Sequence, residues 1–182
     1  MLIAVVFIIG GQAFAQKINI GKPTTVRREL DDKFKVRDYK IRPDQLLDML
    51  DWSARRIDTT LKQHGYLLMQ KDVDSGSALY QYSSLDRKAD APTVIRALTY
   101  MDASREELSS RLITYRTYDK DEFSNVSSYF LMNNFKKTNF FDFGDEKHTL
   151  YSNGKQTVRA KVITLHLKDK KTATAYEWEI GK

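Results

Sequence analysis

The sequence predicts an α+β fold, in which antiparallel sheet carries helices on one face. Three observations favour this class. Two stretches have apolar residues at helical spacing, most of the remaining chain alternates as strands do, and Ser-Gly and Asn-Gly turns separate neighbouring strands. With 182 residues, the chain is long enough for one such domain with a substantial core.

The first helix is predicted to begin near Pro43 and to end at Gly65. Its apolar residues recur every three or four positions, as on one face of an amphipathic helix. They are Leu46, Leu50, Ala54, Ile57 and Leu61, with Leu47 and Trp52 beside them. Proline suits a first helical turn, and glycine suits the left-handed residue that follows a helix.

A second helix is predicted from Asp121 to Lys137. Acidic residues gather at its start and Lys136 and Lys137 stand at its end, which complements the helix dipole at both ends. Phe123, Val126, Tyr129, Phe130, Met132 and Phe135 provide its apolar side.

The other elements are predicted as eight strands. They cover residues 66–71, 78–83, 94–101, 110–118, 139–143, 147–152, 155–168 and 172–180. The third and fourth are joined by a polar connection, helical or irregular, through Arg105, Glu106 and Glu107. In the long strand, the apolar alternation changes between Val162 and Ile163, which predicts a β-bulge.

The order of elements repeats between residues 43–118 and residues 119–182. Each half is a helix followed by four strands, so a tandem repeat with a pseudo-twofold axis is a further prediction. This order resembles the architecture of the beta-lactamase inhibitory protein family, in which a helix-plus-four-strand unit occurs in tandem. The resemblance rests on element order alone and implies the fold class, without assigning any inhibitory residue.

The N-terminus has the features of a secretory signal peptide. An apolar run from Met1 to Ile9 is followed by two glycines and the triplet Ala13-Phe14-Ala15, which predicts cleavage between Ala15 and Gln16. The run is too short to span a bilayer. The alternative is a buried N-terminal strand. The predicted organisation is a signal peptide at 1–15, an arm at 16–42 and one domain at 43–182.

The chain contains no cysteine. A lipoprotein anchor, disulfides and thiolate metal sites are therefore not expected. An exported domain without disulfides is more typical of a bacterial periplasm than of a eukaryotic secretory route. We expect a periplasmic or secreted protein that is not transmembrane.

Positive charge is concentrated in the N-terminal arm. Residues 17–42 contain nine basic and four acidic residues, whereas the rest of the chain is almost neutral. This distribution suggests contact with an anionic envelope surface, and a solvated linker or an edge strand through Val36 and Ile41 is the alternative. The candidate contact residues are Arg27, Arg28, Lys33, Lys35 and Arg37. Nucleic acid is not an expected partner.

The sequence indicates no catalytic, cofactor or metal site. His64, His148 and His166 are not at metal-ligand spacing. Aromatic residues are frequent in the predicted strands, so the open sheet face could be an aromatic contact surface, although tyrosine also simply favours sheets. The strand aromatics are Tyr80, Tyr82, Tyr100, Tyr115, Tyr118, Tyr151, Tyr176 and Trp178.

The resulting functional hypothesis is an exported, soluble, non-catalytic binding module. Its partner would be a protein or a polymer of the cell envelope, held on the sheet face. The alternatives are a periplasmic hydrolase whose site is assembled from scattered residues such as His166 and nearby acids, or a structural component of the envelope.

Overall fold

The computed structural model describes residues 4–9, 12–17, 39–86, 93–105, 108–167 and 171–181. The chain divides into two compact units, residues 1–35 and 36–182. In the first unit, strands β1 (Ala4–Ile9) and β2 (Gln12–Lys17) pair antiparallel. The residues of the predicted cleavage site, Ala13, Ala15 and Gln16, lie in β2.

The predicted first helix is divided into two helices. Helix α1 (Pro43–Asp48) continues into a 3-10 turn (Met49–Asp51), and helix α2 (Ala54–Gln63) begins after a break. Trp52 and Ser53 are both extended at the break, each with ψ of 151°. The Ser53 hydroxyl then caps α2 by accepting from the Arg56 N–H at 3.3 Å. The prediction of one continuous helix was therefore wrong.

Helix α2 ends as the sequence predicts. Gly65 adopts a φ of +84°, and the Tyr66 N–H donates to the Leu61 carbonyl at 3.0 Å. Only glycine takes this left-handed conformation without steric cost. The reversal leads directly into the first strand of the sheet.

The second helix, α3 (Lys120–Met132), is shorter than predicted. The Asp119 carboxylate caps its start by accepting from the N–H groups of Asp121 and Glu122. The chain reverses at Asn134, with φ of +65°, and the Phe135 N–H donates to the Phe130 carbonyl at 3.1 Å. The two lysines that were assigned to the helix end begin a strand instead.

Eight strands of the second unit form one sheet. They are β3 (Leu67–Val73), β4 (Ser77–Asp86), β5 (Thr93–Arg105), β6 (Leu108–Thr117), β7 (Lys136–Phe143), β8 (Glu146–Ser152), β9 (Thr157–His166) and β10 (Thr172–Gly181). The order is β3-β4-β5-β6-β10-β9-β8-β7, and every neighbouring pair is antiparallel. The predicted antiparallel sheet with a few helices is therefore confirmed, and β3 and β7 form its two edges.

The predicted bulge in the long strand is absent. The register through Val162 and Ile163 is continuous with both neighbouring strands. The apolar alternation changes there because Ile163 is buried on the opposite face of the sheet, beside Ala175. Extra residues occur instead in β3, β5 and β7, at Met69, Ile95 and Thr138. Arg105 belongs to β5, whereas Glu106 and Glu107 lie outside the described residues.

The core unites helical residues with one face of the sheet. Leu50, Ile57 and Leu61 are fully buried, as predicted from the helical stripe. The strand residues of the core all share one face by their register, which we call the core face. They are Tyr82, Leu98, Tyr100, Ile113, Tyr115, Tyr151, Val158, Ala160, Trp178 and Ile180.

The end of the predicted basic arm packs on this core. Ile41 is a buried member of the core, and the ring of Tyr39 stacks on His64 at a centroid distance of 3.5 Å. Lys40 Nζ lies 2.6 Å from Asp119 Oδ2. Residues 39–42 are not in a strand.

Candidate functional site

The opposite face of the sheet carries a row of charged side chains, and we call it the charged face. Successive strand residues point to opposite faces, so the neighbours of Trp178 and Tyr115 in sequence point away from the core. Arg116, Glu177 and Lys161 stand directly opposite one another on β6, β10 and β9. The sheet register therefore brings together charges that are far apart in sequence.

Ion pairs join this row continuously. Arg116 Nη2 lies 2.5 Å from Glu177 Oε2, and Lys161 Nζ donates to Glu177 Oε1 at 3.0 Å. Lys161 also donates to Glu179, and Arg159 Nη1 lies 3.3 Å from Glu179 Oε2. Three cations and two carboxylates thus hold one another in fixed positions.

Lys161 remains a cation within this row. Burial opposes the charge of its ammonium group, but the attraction of Glu177 and the hydrogen bond to Glu179 outweigh that effect and raise the pKa of Lys161. The Glu177 side chain is only 6 % exposed. The Arg116 and Lys161 side chains are 16 % and 12 % exposed, so with Glu177 they have little freedom left to lose on binding.

The row continues to β7, the last strand of the described sheet, through a histidine and a phenylalanine. His148 stands opposite Lys161 on one side and Phe141 on the other. The rings of Phe141 and His148 stack at 4.8 Å with an interplanar angle of 2°. His148 is 5 % exposed and neither ring nitrogen makes a hydrogen bond, although Glu146 Oε2 lies 3.0 Å from Nε2.

Strand β7 ends the sheet with exposed aromatic side chains. All of its residues are exposed, and Phe143 is 73 % exposed beside Phe141 on the charged face. Phe140, half exposed, belongs to the other face, with Lys137 Nζ 5.0 Å from its ring centroid. We call Phe140, Phe141 and Phe143 the aromatic edge.

A second charged cluster is buried on the core face, where α3 meets β5 and β6. Arg96 and Glu122 form a two-pronged ion pair, at 2.9 and 2.7 Å to Glu122 Oε2, and both side chains are 3 % exposed. The hydroxyls of Tyr115 and Thr117 donate to the same carboxylate. Burial, followed by nearby charges, raises the pKa of Tyr115 well above its usual value.

The hypothesis of an aromatic open face is wrong for most of the aromatic residues named above. By register, the strand tyrosines and Trp178 belong to the core face, and Trp178 is buried against Phe123 of α3 at a ring distance of 4.9 Å. Glu177 and Glu179 point the other way, as alternation requires. Tyr118 is exposed beyond the end of β6.

The three histidines have separate surroundings. His64 stacks on Tyr39, His148 lies in the charged row, and His166 Nε2 is 3.1 Å from Asp145 Oδ2. The side chains of His166 and Asp145 are 66 % and 65 % exposed. In the described part of the chain, no three His, Asp or Glu side chains are grouped so that they could hold a metal ion.

The candidate envelope-contact residues Arg27, Arg28, Lys33, Lys35 and Arg37 lie outside the described residues. The charged row was missed at the sequence level because it depends on the pairing of β6, β9 and β10. The sequence hints at it where charged residues alternate with apolar ones, at Arg159 and Lys161 in one strand and at Glu177 and Glu179 in the last.

No protein-family model matches the chain, and neither a curated protein nor a solved structure is detectably similar to it. Among the described residues, no helix is both long and apolar enough to cross a bilayer.

Proposed function

We propose that this protein is an exported binding module that holds a protein partner on its charged face. The observation that carries the proposal is the row from Arg116 to Phe141, in which fixed charges lead to exposed aromatic rings on the last strand of the described sheet. Arginine and aromatic side chains are enriched where proteins meet and supply much of the binding energy.

A protein partner fits this surface better than an anionic polymer. The row contains both signs of charge, with each carboxylate flanked by cations, so it offers no uniform positive field. Alternating charges instead favour a partner with a complementary alternation, and this gives specificity. The hydrolase alternative would need more than the exposed contact between His166 and Asp145.

A capture experiment with matched variants tests the proposal. Phe143→Asp places a charge on the exposed end of the charged face. Val73→Asp places one at the opposite edge of the sheet, on the core face, where Val73 is 58 % exposed. From an envelope extract, we expect wild type and Val73→Asp to retain the same protein and Phe143→Asp to lose it. Equal retention by both variants, or retention of cell-wall polymer alone, would contradict the proposal.

Export is proposed from the apolar run and the Ala13-Phe14-Ala15 triplet. The mature N-terminus would be Gln16. Intact-mass measurement of the protein recovered outside the cytoplasm should show the loss of residues 1–15. A soluble product that keeps these residues would contradict export by this signal.

We infer that the two halves, residues 43–118 and 119–182, form a tandem repeat with all helices on the core face. Leu61 and Tyr66 around Gly65 make the same backbone hydrogen bond as Phe130 and Phe135 around Asn134. The following strands, β3 and β7, each have a register shift near their start. Each half then forms a four-stranded meander, and their last strands, β6 and β10, pair at the centre.

Contacts from each helical segment support the placement on one face. Asp58 of α2 accepts from the Tyr82 hydroxyl at 3.2 Å, and the Leu50 carbonyl accepts from Arg111 at 3.0 Å. Phe123 of α3 contacts Trp178.

A further inference from the structure

We propose that strand β7 pairs antiparallel with β7 of a second copy of this chain, about a twofold axis at Phe140. The sheet would then run continuously through both copies. This inference concerns the edge of the sheet and goes beyond the proposed contact on its charged face.

Among the described strands, none pairs with the outer side of β7. β7 is the last strand of the sheet, and all of its side chains are exposed. The Phe140 N–H donates to the side chain of its own neighbour, Asn139, at 2.8 Å, so it is not used in pairing with β8. An exposed edge strand is a ready template for strand addition.

The charges on β7 are complementary to those of a second β7. By register, Lys137, Phe140 and Asp142 all lie on the core face, because the shift between Lys137 and Asn139 changes the alternation. An antiparallel twofold at Phe140 brings Lys137 next to the partner's Asp142 and Asp142 next to the partner's Lys137. The two Phe140 rings would then meet at the axis.

The other edge strand, β3, lacks this complementarity. Its charges, Lys71 and Asp72, are adjacent at the same end of the strand. Lys71 Nζ lies 5.6 Å from the ring centroid of Tyr80, and Asp72 accepts from Gln70. Pairing β7 of one copy with β3 of another would leave free edges and produce an open polymer, whereas β7 with β7 closes as a dimer.

Charge reversal tests the proposed pairing in the full chain. Sedimentation equilibrium over a concentration series should give a dimer for wild type. Lys137→Glu and Asp142→Lys should each weaken dimerisation about tenfold, because two symmetric attractions become repulsions. The double variant Lys137→Glu/Asp142→Lys should restore it. A monomeric wild type, single variants without effect, an unrestored double variant or an open polymer would each overturn the proposal.

Single cysteines test the register, because the chain contains none of its own. Residues directly opposite in a hydrogen-bonded antiparallel pair have Cα atoms about 5.5 Å apart, within disulfide range. Phe140→Cys should therefore give an oxidised covalent dimer readily. Phe141→Cys, diagonal to its own copy at about 7–8 Å, should react much more slowly. Val73→Cys on β3 should form no disulfide-linked dimer.

Faster cross-linking at Val73 or Phe141 than at Phe140 would overturn the proposed edge or register. A dimer that forms while partner capture fails would contradict only the proposed function.

Discussion

At the residue scale, Glu122 connects three elements through one carboxylate. Its carboxylate accepts hydrogen bonds from Arg96 on β5 and from the hydroxyls of Tyr115 and Thr117 on β6. Its own backbone lies in the first turn of α3. Burying an ion pair is costly, but the cost is offset when every oxygen has donors. The position of α3 over the sheet therefore depends on this side chain.

Replacing Glu122 by glutamine should destabilise the protein strongly. It removes the negative charge that Glu122 places against the buried Arg96 guanidinium, and breaking a buried ion pair from one side costs about 3–5 kcal/mol. Urea unfolding measures the free energy of unfolding, and Asp121→Asn, in the same helical turn but exposed, serves as the control. Similar losses in both variants would contradict a special role for Glu122.

Asp119 gives the stability a defined pH dependence. The hydrogen bond from Lys40, followed by those from backbone N–H groups, lowers the pKa of Asp119 below 3.8. A carboxyl with a lowered folded-state pKa stabilises the fold above its ordinary pKa, and this contribution is lost as pH falls through the lowered value.

Asp119→Asn keeps the cap but removes the charge. It should be less stable than wild type at pH 7 by no more than about 1 kcal/mol, since the pair is exposed. Thermal unfolding should show this difference disappearing in acid. A difference that persists at the most acidic pH would contradict the assigned cause.

At the element scale, helices α2 and α3 end in the same kind of turn, and substitutions in the two turns should change the stability in opposite directions. Gly65 and Asn134 both have positive φ, which favours glycine. Gly65→Ala should lower the stability by about 1 kcal/mol, and Asn134→Gly should raise it by a comparable amount. Thermal unfolding measures both. A change of the same sign in both variants would show that the two turns are not equivalent.

The apolar stripe of the first helix predicted which residues are buried, but not where the helix breaks. Leu50 and Ile57 face the core on both sides of the break, so their spacing looks continuous in sequence. The break depends on Ser53, whose hydroxyl caps the start of a new helix. The free energy of one such cap is similar to the helix propensities of a few residues, so the sequence does not show which of the two prevails. Likewise, the helix end at Met132 depends on Asn134, a weaker sequence feature than glycine.

At the scale of the whole molecule, the helices and sheet of residues 43–181 share one core cluster. Ile57→Ala should lower the free energy of unfolding by about 2–5 kcal/mol, the range for deleting a buried branched side chain.

In a Trp52→Phe background, the fluorescence of Trp178 should be blue-shifted and should change together with the helical circular dichroism during unfolding. Separate transitions would contradict a single cooperative unit.

The antiparallel strands were predictable from alternation and turns, whereas the charged face was not. Odd-numbered and even-numbered strand positions both include apolar residues, so hydrophobicity alone does not tell which face of the sheet is buried. The register of β6, β10 and β9 decides that Arg116 meets Glu177 and Lys161. These pairings join positions too distant in sequence for local patterns to reveal.

Site-specific photo-cross-linking in the producing cells tests directly whether the charged face binds a protein partner. A photoreactive phenylalanine analogue is placed at Phe143 on the charged face, at Val73 on β3 or at Met132 on α3, all of which are exposed. We expect an adduct with a different protein from position 143 and none from the other two positions. Adducts from Val73 or Met132 without one from Phe143 would contradict it.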